Sequence, residues 1–134
     1  YVTSGATNYY LAAPNNVTAG QSHPELKVFA GNMPNGRTDF LSCPGTATNT
    51  VALEYVSKGT TYVLANDHGD FNRVDMELLP SGGPNMSEYW TVSGSNPYTF
   101  KNDNTGLYLR TPNKGLGEYY PVVAGATKTQ WTQS

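Results

Sequence analysis

The sequence predicts an all-β fold, and three observations carry that expectation. Charged residues make up only 13% of the 134 residues, about half the usual share for a soluble protein. Thr, Ser, Asn, Gly and Tyr stand in their place. β-Branched and aromatic side chains fit a pleated surface, while Gly and Asn tolerate left-handed turn geometry. No window carries apolar residues at i, i+3, i+4 and i+7 over a helical length, and Gly or Pro interrupts most candidates. What remains is a series of about twelve short apolar runs separated by turn residues, at the spacing of sandwiches and barrels.

The runs follow one another from the start of the chain. Tyr1-Val2-Thr3 alternates apolar with polar. In the next run Tyr9 and Leu11 point one way and Tyr10 and Ala12 the other, until Pro14-Asn15-Asn16 ends it. A loop rich in Gly, Ser and His-Pro leads to Glu25–Ala30. Asn35-Gly36 is the strongest hairpin signal in the chain, and Asp39–Cys43 follows. In the middle, Val51, Leu53 and Tyr55 alternate with Ala52, Glu54 and Val56. Then come Lys58–Gly69, with Tyr62 and Leu64 on one face, Val74–Leu78 with a clean period of two, and Glu88–Val92 after the loop Pro80–Pro84. The last third gives Tyr98–Lys101, Leu107–Leu109, Tyr119–Ala124 and Gln130–Thr132.

The order of these runs recurs three times. Leu11, Leu64 and Leu109 sit in an early strand of each third. An apolar strand follows, at Val28-Phe29, Leu78-Leu79 and Val122-Val123. A bulky aromatic closes each third: Phe40, Trp90 and Trp131. Such self-similarity points to a repeat architecture whose four-strand unit cannot bury its face alone. The expected core is Tyr9, Leu11, Val28, Phe40, Leu53, Tyr62, Leu64, Met76, Leu78, Trp90, Phe100, Leu107, Leu109, Val122 and Trp131. Both tryptophans are expected in it as scaffold, because they recur at one position.

Three four-strand units, each with an early Tyr/Val-Leu strand and a late Trp or Phe, resemble the β-trefoil. The resemblance implies a six-stranded barrel capped by three hairpins, a single domain over 1–134, and units of about 1–45, 46–94 and 95–134. A β-sandwich whose strands match by composition alone is the plainer alternative. Among trefoils, the chain is similar to the ricin-B-like lectins, including secreted fungal ones. Their sugar-binding pattern implies an Asp after the early hydrophobic pair and a Gln two residues before the late Trp. Here those places hold Ala12, Ala65 and Arg110, and Thr38, Glu88 and Thr129. The ricin-type site is therefore not carried over, and lectin activity would use other loop residues.

The densest polar cluster is Asn66-Asp67-His68-Gly69-Asp70-Phe71-Asn72-Arg73. Amides and carboxylates offer paired donors and acceptors to vicinal hydroxyls, and an aromatic face stacks on the apolar side of a sugar. The same composition suits a hairpin loop that only has to stay solvated. The third unit has Asn113-Lys114-Gly115-Leu116-Gly117-Glu118-Tyr119-Tyr120 at the corresponding place, and the first has Asn15-Asn16 to His23. The candidate ligand-binding residues are Asn66, Asp67, His68, Asp70, Asn72, Arg73, Asn113, Glu118 and Tyr119.

Catalysis is not expected. Asp67 and Asp70 lie too close along one loop to flank a glycosidic bond from both sides. No Gly-x-Ser-x-Gly elbow is present. His23 and His68 lack cysteine partners for zinc, and Cys43 stands alone. Asp67-x-x-Asp70-x-Asn72 lacks the twelve-residue loop and terminal Glu of a calcium hand. No metal and no cofactor is expected.

The net charge of −2 argues against a phosphate-driven nucleic-acid binder, which needs a basic face. No run approaches 18 apolar residues, so no membrane-spanning helix is expected. The start at Tyr1 without Met fits a mature product whose leader was removed. Asn16-Val17-Thr18 and Asn85-Met86-Ser87 are glycosylation sequons, consistent with a secreted glycoprotein. The expectation is a secreted, extracellular lectin-like protein that takes glycans or glycoproteins as partners, as a monomer or homodimer. The alternatives are a trefoil protease inhibitor inserting Met33–Arg37 or Pro80–Met86 into a cleft, and a receptor-binding effector.

Overall fold

A computed structural model of the chain describes residues 1–4, 6–14, 27–30, 35–38, 40–45, 47–66, 74–110, 123–125 and 129–133. These residues are almost entirely β. The strands are β1 (Val2–Ser4), β2 (Thr7–Pro14), β3 (Lys27–Ala30), β4 (Arg37–Thr38), β5 (Leu41–Pro44), β6 (Thr50–Ser57), β7 (Thr60–Ala65), β8 (Asp75–Leu78), β9 (Trp90–Gly94), β10 (Tyr98–Asn102), β11 (Tyr108–Arg110) and β12 (Val123–Gly125). One turn of 3-10 helix spans Met86–Glu88. No helix among the described residues is long and apolar enough to cross a membrane.

Every pairing is antiparallel, and one pattern appears three times. β1 pairs with β2 and β2 with β3; β6 pairs with β7 and β7 with β8; β10 pairs with β11 and β11 with β12. In each meander the recurring leucine lies on the middle strand, opposite a residue of the third. Leu11 faces Val28, Leu64 faces Met76 and Leu109 faces Ala124. Further ladders extend the second meander and join it to the third, β5 with β6, β6 with β9, and β9 with β10, while β1 to β4 form a sheet of their own. A bridge between Tyr98 and Trp131 continues the series. The Thr132 amide then donates to the Tyr1 carbonyl at 2.7 Å, which ties the last described segment to the first.

Local chemistry explains the turns. Lys58 and Gly59 both have positive φ, at 50° and 78°. That is the geometry of a two-residue hairpin whose twist matches its flanking strands, and it fixes Ser57 opposite Thr60. The β10–β11 turn is built by Asn102, whose Oδ1 accepts from the amides of Asn104 and Thr105 at 3.0 and 3.1 Å. Gly106, at φ 71°, completes it where a side chain would be strained.

The core gathers Ala13, Leu53, Tyr55, Tyr62, Leu64, Val74, Met76, Trp90, Phe100, Leu109 and Trp131, with Tyr9, Leu11 and Phe40 partly buried against them. Tyr55 and Tyr62 stack at 5.2 Å between ring centroids, and Phe40 meets Tyr55 edge-on at 5.6 Å. Both tryptophans are scaffold. The Trp90 indole donates to the Leu64 carbonyl at 3.0 Å, and the Trp131 indole to the Leu109 carbonyl at 3.1 Å.

Three expectations need correction. Leu78 is 42% exposed; Met76 takes the inward place opposite Leu64, and Leu78 lies at the strand's outer end opposite Tyr62. Leu107 is only half-buried, because it belongs to the β10–β11 turn. Asn35-Gly36 is a turn, yet β3 and β4 each pair with β2, along successive parts of its length. Tyr55, absent from the expected core although alternation puts it on the face of Leu53, is buried at 2% exposure. Val28 has a described backbone only, and Val122 lies outside the described residues.

Candidate functional site

The polar segments singled out above occupy one topological place. Residues 15–26 join β2 to β3, residues 67–73 join β7 to β8, and residues 111–122 join β11 to β12. Each is the connection from the second to the third strand of a meander. Asp67, His68, Asp70, Asn72, Arg73, Asn113, Glu118 and Tyr119 lie in these connections and outside the described residues, as does the sequon residue Asn16. Their anchors are defined. The 67–73 connection leaves from Asn66 and returns at Val74, both buried, and the 111–122 connection leaves from Arg110, also buried.

Asn66 does not belong with the surface groups. It has no exposed area. Its side-chain amide donates to Thr105 Oγ1 at 2.8 Å, and its backbone amide donates to the Ser87 carbonyl at 3.0 Å. That carbonyl also accepts from Asn102 Nδ2 at 2.8 Å. A buried amide must find partners or pay the full cost of desolvation. Asn66, Ser87, Asn102 and Thr105 meet that demand together, and they lock the end of β7 to the β10–β11 turn. Asn66 is thus a corner post at the start of the 67–73 connection.

Glu88 stands where the ricin-type pattern has Gln, and it too is scaffold. It is 1% exposed, and its Oε1 accepts from the Asn85 amide at 2.9 Å. Asn85 Oδ1 in turn accepts from the Ser87 amide at 3.1 Å. This reciprocal capping box satisfies the orphan donors of the short helix. It also holds an exposed loop: Pro80, Ser81, Gly82, Asn85 and Met86 all face solvent, with Met86 65% exposed. The motif is legible as Asn85-x-x-Glu88, a cap signature that overlaps the second sequon.

The described residues also enclose a cavity of about 410 Å³. Its walls are Tyr1, Tyr10, Leu11, Phe40, Leu41, Leu53, Phe100, Leu109 and Trp131, with Ser42, Thr132 and Gln133 as its polar members. The rings of Tyr1 and Tyr10 lie 5.2 Å apart at one side. No sequence motif announces this space, because it arises between distant strands.

Cys43 on β5 is half-buried and not in a disulfide. Burial pushes its thiol upward, and the neighbouring Glu54 carboxylate adds to the shift. A thiol held protonated is a poor nucleophile. Among the described residues no group of three or more His, Cys, Asp or Glu side chains is placed to hold a metal ion.

No family model and no curated protein matches the sequence. Among solved structures, the chain is similar to one of a PSL1a–E64 complex, at 18% identity and a TM-score of 0.50. The match covers 92% of this chain and 38% of that one, so this chain spans well under half of its length. At such identity the likeness concerns the fold, and it agrees with the all-β architecture described above.

Proposed function

We propose that the chain is a β-trefoil and a secreted carbohydrate-binding protein, without catalytic activity, that recognises glycans or glycoproteins through the connections 15–26, 67–73 and 111–122. One observation carries the reading: three polar segments of unrelated sequence, each holding at least one Asn and one charged residue, fall at the same step of a thrice-repeated meander. The trefoil reading draws on that recurrence, on the two matching indole-to-leucine hydrogen bonds, and on the link from Thr132 to Tyr1. The ligand groups are Asp67, His68, Asp70, Asn72 and Arg73 in the second unit, and Asn113, Glu118 and Tyr119 in the third. Carboxylates and amides pair with vicinal hydroxyls, and Tyr119 supplies a stacking face. Asn66 anchors the start of the 67–73 connection and makes no ligand contact.

A second reading has its own support. The Pro80–Met86 loop is exposed, proline-flanked and fixed at its base by the capping box. A pre-ordered loop loses little entropy on entering a protease cleft. A glycan array run beside a protease-inhibition panel separates the two. Binding to a defined glycan set, with no protease inhibited at micromolar protein, is the expected result. A blank array with nanomolar inhibition of one protease overturns the lectin reading in favour of the inhibitor.

A further inference from the structure

The three thirds share strand order and differ at one contact. In the second and third, a tryptophan indole donates to the carbonyl of its unit's leucine, and all four residues are buried, with exposures of 0% for Leu64 and Trp90, 1% for Leu109 and 4% for Trp131. In the first, the corresponding residues are Leu11 and Phe40, and both are only half-buried. A phenyl ring is smaller than an indole and has no N–H to donate. Leu11 and Phe40 both line the cavity of about 410 Å³, which Leu109 and Trp131 of the third unit also border.

We propose that this cavity binds one neutral, flat, largely apolar small molecule, whose single polar group is met at the mouth by Ser42 and Gln133. Its volume falls within the range of small-molecule sites and suits a ligand of roughly ten to twenty non-hydrogen atoms. Among the described residues no Asp, Glu, Lys or Arg lines it, and the Tyr1 ammonium already donates to the Thr132 carbonyl at 2.8 Å, so an ionic ligand would enter with no charged side chain to pair with. Phe40, Phe100 and Trp131 offer ring faces and edges for offset or edge-on contact. Ser42 and Gln133 are exposed, which places hydrogen-bonding groups at the open side and leaves the depth apolar. None of the described lining residues belongs to the three connections assigned to glycans, so the two assignments are tested by different variants.

The test is a fluorescence titration of the whole chain with N-phenyl-1-naphthylamine, a neutral aromatic probe. Saturable one-to-one binding in the micromolar range is expected. Phe40→Trp restores the bulk present in the other two units. It should weaken probe binding at least tenfold, raise the melting temperature and leave glycan-array signals unchanged. Ser42→Trp narrows the mouth from an exposed position and serves if the Phe40 variant does not fold; it too should weaken the probe at least tenfold. Absence of saturable binding to the native chain overturns the proposal, as does undiminished binding to a folded Ser42→Trp protein. Sedimentation showing a dimer that the probe dissociates also overturns it, since a second copy of the chain would then be the occupant.

Discussion

Tyr55 combines burial at 2% exposure with a hydroxyl that has no hydrogen-bond partner among the described residues. Its phenol is pushed above the ordinary tyrosine value, first by burial and then by Tyr62, with Arg37 opposing. A raised value in the fold favours the neutral form there. Stability from this group is therefore complete below about pH 10, the ordinary tyrosine value, and falls as pH rises beyond it. Tyr55→Phe removes an unpaired buried oxygen and should stabilise the protein by about 1 kcal/mol at pH 8. It should also flatten the loss of stability between pH 9 and roughly 11, as read by urea unfolding at each pH. Asn66 makes the opposite case. Asn66→Ala removes the buried amide that donates to Thr105 Oγ1 and should cost about 1–3 kcal/mol by urea unfolding. At this scale the sequence showed residue type but not burial. An Asn beside Asp67 and His68 looks like a surface group, and only the tertiary pairing with Ser87 and Thr105 makes it scaffold.

The strands were the most legible level. Alternation placed Tyr62, Leu64 and Met76 in the core, and the recurrence of Leu11, Leu64 and Leu109 marked the middle strand of every meander. Misreadings arose where pairing partners decide the outcome. Leu78 continues the apolar period of β8 yet lies 42% exposed, because the strand ends where cover runs out. Asn35-Gly36 carries a hairpin signal, but β3 and β4 both turn to β2. Glu88 is a cap residue rather than a strand residue. The tryptophans test the element scale directly. Trp90→Phe keeps an aromatic ring but removes the indole N–H bonded to Leu64 and leaves a void. It should cost about 2–4 kcal/mol by denaturant unfolding, with Trp90→Ala nearer 3–5 kcal/mol. A loss below 1 kcal/mol for Trp90→Phe would mean that the indole bond contributes little to the join between β7 and β9.

The whole molecule is organised by what lies between the repeated strands. Three meanders share a core, the Tyr1–Thr132 contact draws the first and last described segments together, and the second-to-third-strand connections of all three fall at one topological place. The repeat was legible from Leu, Trp and Phe positions because apolar scaffold is constrained by burial. The cavity was not, because it depends on how Phe40, Phe100 and Trp131 converge from separate strands. The central claim is that ligand recognition belongs to those connections. The most direct measurement is a ¹⁵N amide chemical-shift titration of the full chain with pooled neutral oligosaccharides at millimolar concentration. The account predicts saturable shifts in at least two of the segments 15–26, 67–73 and 111–122, with the amides of β6 and β9 unmoved. Shifts confined to Pro80–Met86, or no shifts at all, would contradict it.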